Sequence, residues 1–339
     1  MKRYIVMMAV AMAAICTSCS KDDEVTQVAP PTTSTNSEVT IKFSTDEITT
    51  TRAFFDESAE SEAWEKSISK ATLLIERYDD TAQTLIERIY RVLTSDQIAA
   101  GSITVGLTGA NTGDLIVVAV GANFDIPEGT AALAVERTII NTMDMTEYNG
   151  PFEQVSTGSI RPDGFVLFGY NVLEVVSGNA IVADLQLKRQ VVKIAIQATI
   201  SDNFNNPSVF LGDLRVDDIT VRSTDYYDYN FDYCFSFNQA SYKSGSYYQN
   251  LFYIDHCYRN DFTVSATYDA DGNFNTTTDQ TSVTYVFSIM NDYGGMIELL
   301  DNQYYRVNLT INSMETTDVS VSISVADWVS VEDQTVEIG

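Results

Sequence analysis

The stretch LQLKRQVVKIAIQATI, residues 185–200, alternates apolar and polar side chains over most of its length. Successive side chains of a β-strand point to opposite faces of a sheet, so this alternation predicts strands with one buried face. Its content of Val, Ile and Thr favours the same assignment. We therefore expect a layer of β-structure to begin here, and we place a domain boundary near residue 183.

The same kind of pattern recurs along most of the chain. Alternating or continuous apolar runs occupy residues 39–43, 73–75, 115–120, 305–311 and 319–325. Helical spacing is confined to residues 94–102 and 130–143, with Ser95 and Thr130 as the predicted N-caps. Many short strands with one or two short helices predict a mainly β chain built of β-sandwiches.

Composition limits the classes of function. The chain has 339 residues, 45% of them apolar, and a formal net charge of −27. This length fits two domains with sizeable cores, and the negative charge argues against nucleic acid and anionic membrane surfaces as partners. The single histidine, His256, nearly excludes histidine-rich metal sites and makes a Ser-His-Asp triad depend on one residue.

The N-terminus has the features of an export signal. Lys2 and Arg3 precede an apolar run, Tyr4 to Ile15, that is too short to span a bilayer. Ser18 and Cys19 then resemble a lipobox, so we expect signal peptidase cleavage to leave Cys19 as a lipidated N-terminus. A Pro/Thr/Ser-rich stretch follows and is typical of a tether.

The sequence contains no pattern that predicts catalysis. The loop DADGN, residues 269–273, spaces its carboxylates as calcium loops do, but its glycine comes too early for an EF-hand. A hairpin turn explains this loop better. No Walker loop or dinucleotide fingerprint is present, so we expect no enzyme activity, no cofactor and no metal.

Residues 225–262 are rich in aromatic side chains, with nine Tyr and five Phe. They form either a packed hairpin with inward-facing rings or an adhesive or inter-subunit surface. The residues of such a surface would be Tyr226, Tyr227, Tyr229, Tyr247 and Tyr248. In an oxidising compartment Cys234 and Cys257 are candidates for a disulfide, although sequence alone does not give their separation.

Taken in order, these features resemble the FimA-like fimbrillins, the type V pilins of the Bacteroides group. The match runs nearly end to end. It rests on the lipobox leader, TTTRAFFDESAESEAWEKSISKATLLIERYD (49–79), DLIVVAVGANFD (114–125), LQLKRQVVKIAI (185–196), YYRVNLTI (304–311) and VSISVADWVSV (321–331). Each part is a weak pattern by itself, but the parts in this order are fairly specific.

The resemblance implies two tandem transthyretin-like Greek-key β-sandwich domains with one or two short helices. They would span residues 53–183 and 184–339, behind a signal peptide (1–19) and a tether with a removable propeptide strand (20–52). It also implies Sec export as a lipoprotein to the outer membrane. Assembly into cell-surface fimbriae for adhesion and biofilm formation would follow.

The resemblance further implies that an arginine-specific protease cuts between Arg52 and Ala53. Just upstream, Val39, Ile41 and Phe43 alternate as the side chains of a sheet strand do. A cut would therefore allow this strand to leave and open a groove whose edges can accept another strand.

The C-terminal segment is the predicted donor strand. Val329 and Val331 alternate, and so do Val336 and Ile338, which suits β-strand addition to a neighbour's groove. Head-to-tail contacts of this kind do not close on themselves and so build filaments.

Two alternatives remain open at this stage. The chain could be a fimbrial tip or accessory adhesin, which needs a groove but does not need to donate its tail. It could also be a glycan-binding lipoprotein held permanently at the surface through Cys19. The expected partners are other copies of the chain or other fimbrial subunits, the protease, and a host or bacterial surface ligand. Membrane contact is expected only through the transient lipid anchor.

Overall fold

The structure of the chain is a computed structural model. It describes residues 37–45, 63–79, 83–202, 204, 212–224, 235–257, 259–290, 295–315, 318–327 and 334–337. All of these residues belong to one unit, Thr35–Gly339.

The first half of the described chain forms two facing sheets. Its strands are β1 (Ser37–Ser44), β2 (Ala71–Tyr78), β3 (Leu85–Val92), β4 (Ser102–Leu107), β5 (Leu115–Ala122), β6 (Leu167–Glu174), β7 (Ile181–Gln186) and β8 (Lys188–Arg189). Sheet A has the order β4-β1-β7, and sheet B has the order β3-β2-β5-β6-β8. Apolar side chains from both sheets share one buried core, which makes this half a β-sandwich.

The second half forms another sandwich. Its strands are β9 (Val192–Ile200), β10 (Asp213–Thr224), β11 (Phe235–Ala240), β12 (Tyr242–Ser244), β13 (Tyr247–Ile254), β14 (Arg259–Asp269), β15 (Gln280–Phe287), β16 (Gln303–Ile311), β17 (Val319–Asp327) and β18 (Gln334–Glu337). Sheet C has the order β12-β13-β9-β16-β17-β18, and sheet D has the order β11-β10-β14-β15. The mainly β sandwich fold predicted from the sequence is confirmed.

The predicted domain boundary between residues 183 and 184 falls inside β7. β7 pairs with β1 over its whole length, from Ile181 to Gln186, and the next strand, β8, pairs with β6. The first strand of sheet C begins at Val192. Residues 185–200, which predicted the start of one new β-layer, therefore supply strands to both sandwiches.

Three short α-helices lie among the strands in the described part of the chain. They are α1 (Ser95–Ala100), α2 (Val135–Thr142) and α3 (Phe152–Thr157). Both predicted N-caps are wrong. Thr94 rather than Ser95 caps α1, because its hydroxyl accepts from the Gln97 N–H in a capping box. Thr130 lies before α2, and its hydroxyl donates to the Pro127 carbonyl instead.

Two of these helices, α2 and α3, pack against sheets B and C. Val135 and Ile139 of α2 join the apolar cluster on the face of sheet B that is turned away from sheet A. Phe152 and Val155 of α3 pack into the core of the second sandwich, beside β13. Among the described residues, no helix is long and apolar enough to cross a membrane.

The two sandwiches meet at a buried polar cluster, which we call the joint. Its members are Glu65, Arg189, Lys193, Tyr253 and Asn302. Glu65 and Lys193 are 0% and 2% exposed, and Lys193 Nζ lies 2.9 Å from Glu65 Oε1. The Tyr253 hydroxyl donates to the same carboxylate at 2.5 Å.

Arg189, which belongs to strand β8 of the first sandwich, also contributes to the joint. Arg189 Nε donates to the Glu65 carbonyl at 2.9 Å, and its Nη1 donates to Asn302 Oδ1 at 3.0 Å. Burial, followed by the Glu65 carboxylate, raises the pKa of Tyr253 well above its usual value, so the phenol remains a proton donor. The Glu65 carboxylate thus accepts from both the Lys193 ammonium and the Tyr253 hydroxyl, and a buried ion pair requires such additional hydrogen bonds.

Aromatic packing surrounds this polar centre. Trp64 lies 5.1 Å from Phe165 and 6.0 Å from Tyr253, measured between ring centroids. Gly158, in the left-handed region with φ 70°, ends α3 directly against the Trp64 indole. A Cβ atom at this glycine would lie 2.3 Å from the ring, so a side chain there would force the joint apart.

Glu65→Gln is expected to destabilise the chain by about 3–5 kcal/mol, because it leaves the Lys193 ammonium buried without its counter-charge. Urea unfolding followed by circular dichroism measures the loss. Glu128→Gln, on an exposed acid, is the matched control and should stay within about 0.5 kcal/mol. Adding Lys193→Met to Glu65→Gln should recover part of the loss. Equal stability of Glu65→Gln and the control would contradict this account.

Candidate functional site

Several residues singled out from the sequence lie outside the described part of the chain. They are Cys19, Arg52, Ala53, Tyr226, Tyr227, Tyr229, Cys234, Val329, Val331 and Ile338. Lipidation, proteolytic processing and the Cys234–Cys257 disulfide therefore stay predictions. Cys257 itself is buried, and its backbone bridges to Leu299.

Strand β1 lies in the middle of sheet A. It runs antiparallel to β4 and parallel to β7, and those two strands are joined only through it. Val39, Ile41 and Phe43 are 0%, 0% and 4% exposed, and they belong to the core shared with sheet B. The period-2 pattern that predicted a strand thus corresponds to its inward face.

Hydrogen bonds fix the C-terminal end of β1 on both sides. The Phe43 N–H donates to the carbonyl of Gly101, the residue that ends α1, at 2.9 Å. The Leu187 N–H donates to the Ser44 carbonyl, also at 2.9 Å. On the outward side of the strand, the Thr40 and Thr104 hydroxyls lie 3.2 Å apart.

The space that β1 fills between β4 and β7 is the candidate functional site, which we call the slot. An empty slot would leave the edges of β4 and β7 unpaired. It would also expose the core residues that Val39, Ile41 and Phe43 contact. Each such side chain contributes roughly 1.5–3 kcal/mol when buried, and each net backbone hydrogen bond contributes about 0.5–1.5 kcal/mol. The slot is therefore stable only when a strand with inward-facing apolar side chains occupies it.

The C-terminal tail occupies an edge position in its own sheet. Residues 334–337 form β18, which pairs antiparallel with β17, and Val336 stands opposite Ile323. β18 is the last strand of sheet C and has one neighbour. In this arrangement the predicted donor strand is held by its own chain along one edge over four residues.

The tyrosines proposed as an adhesive surface divide between two faces. Tyr247 is 41% exposed, whereas Tyr248 is 5% exposed and belongs to the core of the second sandwich. Tyr248 is thus not part of an exposed surface, because neighbouring residues of β13 point to opposite sides of sheet C. Sequence reasoning missed Tyr242, which is 40% exposed on the neighbouring strand β12.

The acidic loop after β14 is a hairpin turn, as predicted. Asp269, Asp271 and Asp279 place carboxylate oxygens within 4.8 Å of one another. Asp269 Oδ1 and Asp271 Oδ1 both accept from the Asn273 N–H, and Asp279 Oδ2 accepts from the Asp271 N–H. These hydrogen bonds close the turn between β14 and β15.

The single histidine lies in an acidic neighbourhood. His256 Nε2 is 2.6 Å from Glu298 Oε1. Burial raises the pKa of Asp301 to about 7, the carboxylates of Asp255 and Glu136 act in the same direction, and His256 opposes them. Asp301 therefore changes charge near neutral pH, where an ordinary carboxyl group is fully ionised.

Comparison with solved structures finds similar folds in proteins of several bacteria. The chain is similar to a protein from Bacteroides eggerthii at a TM-score of 0.51 and 12% identity, over 86% of this chain and 96% of that chain. It is similar to a protein from Parabacteroides distasonis at a TM-score of 0.50 and 13% identity, over 90% of this chain and 100% of that chain. Both are described as a "putative cell adhesion protein".

The tip fimbrial protein Mfa3 from Porphyromonas gingivalis, with a C-terminal truncation, also aligns with the chain. The TM-score is 0.45 at 12% identity, over 86% of this chain and 100% of that chain. No family model and no curated protein matches the chain. At these identities the similarity is one of fold.

Ile41→Ala in the uncleaved chain is expected to lower the free energy of unfolding by about 2–5 kcal/mol, since it leaves a cavity in the core beneath sheet A. Lys42→Ala is the matched control, because its side chain is exposed on the same strand. Its effect should stay within about 0.5 kcal/mol. Urea unfolding measures both, and similar losses would mean that β1 does not support the core.

Asp301→Asn tests the pH dependence. The folded chain keeps the proton on Asp301 between about pH 4 and pH 7, whereas the unfolded chain releases it. The stabilising contribution is complete below about pH 4 and is lost as the pH rises through about 7. The melting temperature of the parent relative to Asp301→Asn should therefore fall from pH ~5 to pH ~8. Asp163→Asn, on an exposed acid, is the control. A constant difference between parent and Asp301→Asn would contradict the assignment.

Proposed function

We propose that this chain is a structural subunit of cell-surface fimbriae that polymerises by strand exchange. It would be exported as a lipoprotein through Cys19 and cut by an arginine-specific protease after Arg52. A C-terminal strand of another copy would then enter the slot that β1 leaves, in fimbriae that serve adhesion and biofilm formation. The observation that carries the proposal is the central position of β1 in sheet A, with its three inward-facing apolar side chains buried in the core. The fold shared with two proteins that are each described as a "putative cell adhesion protein" supports it.

The order of elements supports release of β1 by one cut. β1 is the first described element, and the connection to the next one, at Ala63–Lys66, contains Arg52. Cleavage there would leave β1 attached to the rest only by pairing and packing. On the other side of such a cut, Glu65 is held in the joint.

The energetics favour a tail that moves from its own sheet to a slot. β18 pairs with one neighbour over four residues, whereas β1 pairs over six residues on each side. A tail that takes the place of β1 also brings apolar side chains into the core, worth roughly 1.5–3 kcal/mol each. Insertion therefore gains more strand pairing than the tail loses by leaving β17.

One observation favours a second candidate, a fimbrial tip or accessory subunit. Residues 334–337 already complete sheet C of their own chain, and a tip subunit has no need to release them. A tip would still accept a strand in its slot. Incorporation into fimbriae after removal of the tail separates the two roles.

Arg52→Ala is expected to leave lipidated, unpolymerised protein at the cell surface, because β1 cannot leave its slot while it is joined to the chain. Removal of residues 333–339 is expected to stop filament extension, since no donor strand remains. Electron microscopy of cells and immunoblotting of surface material measure both results. Fimbriae of normal length from either variant would contradict strand exchange as proposed.

Two controls accompany these variants. Lys42→Ala changes a basic residue of β1 that is exposed and should leave the fimbriae unchanged. N-terminal sequencing of surface material from the parent should begin at Ala53. A start at Cys19 would instead favour a permanently anchored lipoprotein.

A further inference from the structure

The outer face of sheet C carries two rows of polar side chains that cross five strands. Strand register places one row on Ser244, Tyr247, Thr199, Thr310 and Ser320, and the next on Tyr242, Gln249, Gln197, Asn308 and Ser322. All ten are exposed or partly exposed. We call this surface the polar face. With strands about 4.8 Å apart, it is roughly 19 Å wide.

No charged side chain occupies either row on these five strands. Every position holds a hydroxyl or a carboxamide, although the chain as a whole has a net charge of −27. The outer face of sheet D differs, since β10 places Asp218 and Arg222 there in register with β11. An exposed sheet face is commonly rich in charge, so the lack of charge on the polar face sets it apart.

The groups on the polar face are held in place before any ligand binds. The Thr199 hydroxyl donates to the Leu309 carbonyl and lies 3.2 Å from the Thr310 hydroxyl. The Tyr242 ring stacks on Phe152 of α3, with 4.9 Å between centroids and 13° between planes. Such restraint lowers the entropy that binding would cost.

Charged residues lie at the margins of this surface. Arg306 lies one row further along β16, opposite Ala195, and α3 packs against β13. Glu337 stands opposite Ser322 on the edge strand β18. The uncharged area is therefore bounded by a helix on one side and by the C-terminal strand on another.

We propose that the polar face binds a neutral glycan. Sugar hydroxyls both donate and accept, and they match a flat array of amides and hydroxyls that do the same. Tyr242 and Tyr247 at one end offer ring faces to the apolar faces of a sugar. An anionic glycan would be repelled by the acidic chain, whereas a neutral one meets no charge that must be desolvated.

The chemistry of the polar face is unlike that of a protein interface. Protein interfaces have an apolar centre enriched in aromatic residues and Met. Here the centre consists of Gln, Asn, Thr and Ser, and the two tyrosines lie at one end. A glycan fits this surface better than a second protein does.

The proposal is tested on the purified uncleaved chain by affinity electrophoresis in gels that contain mannan, galactan or dextran. At least one of these neutral polysaccharides should retard the parent chain, and anionic hyaluronan should not. Tyr247→Ala and Asn308→Ala should each weaken the retardation about fivefold, which corresponds to about 1 kcal/mol. Tyr170→Ala and Asn141→Ala change exposed residues of the first sandwich and should leave it within about twofold.

Other results would overturn the proposal. They are retardation by none of the neutral polysaccharides, equal retardation by hyaluronan, or equal losses in the control variants. Sedimentation of the parent and Tyr247→Ala is measured alongside, and a dimer lost in the variant without a change in retardation would assign this face to a contact between copies. The measurement uses unpolymerised chain, so its outcome is independent of strand exchange.

Discussion

The pairing of β1 with β4 on one side and β7 on the other is the constraint on which the first sandwich depends. β4 and β7 are joined through β1, so sheet A exists only while a strand fills the slot. The same strand supplies three buried side chains to the core that sheet A shares with sheet B. A segment at the start of the described chain thus completes a layer whose other strands come more than 50 residues later.

The joint gives the two sandwiches a fixed relation at their centre. Glu65 precedes the first strand of sheet B, yet its carboxylate is neutralised by Lys193 from sheet C. Because a buried charge without its partner is costly, neither sandwich can turn away from the other without breaking this pair. The ion pair therefore keeps the second sandwich in place against the first when the strand in the slot changes.

Strand β1 was predictable because its alternation is local, and the same holds for the hairpin of residues 269–273. The joint was not, since Glu65 and Lys193 are 128 positions apart and charged strand residues usually face water. Helix α3 has only six residues and shows too little periodicity to be detected. The prediction that Tyr247 and Tyr248 share one exposed surface could have been corrected from the sequence, because adjacent residues of a strand point to opposite faces. The polar face depends on register between distant strands, which no single stretch of sequence contains.

The location of β1 at the start of the described residues gives a cut after it a thermodynamic meaning. While the chain is intact, the strand is part of the fold, and its effective concentration at the slot is set by the connection to Ala63–Lys66. Once that connection is broken, the same strand is a bound ligand, and its occupancy follows a dissociation constant and the law of mass action. Dilution then weakens the fold of the first sandwich, whereas any other strand held nearby at high local concentration competes for the same place.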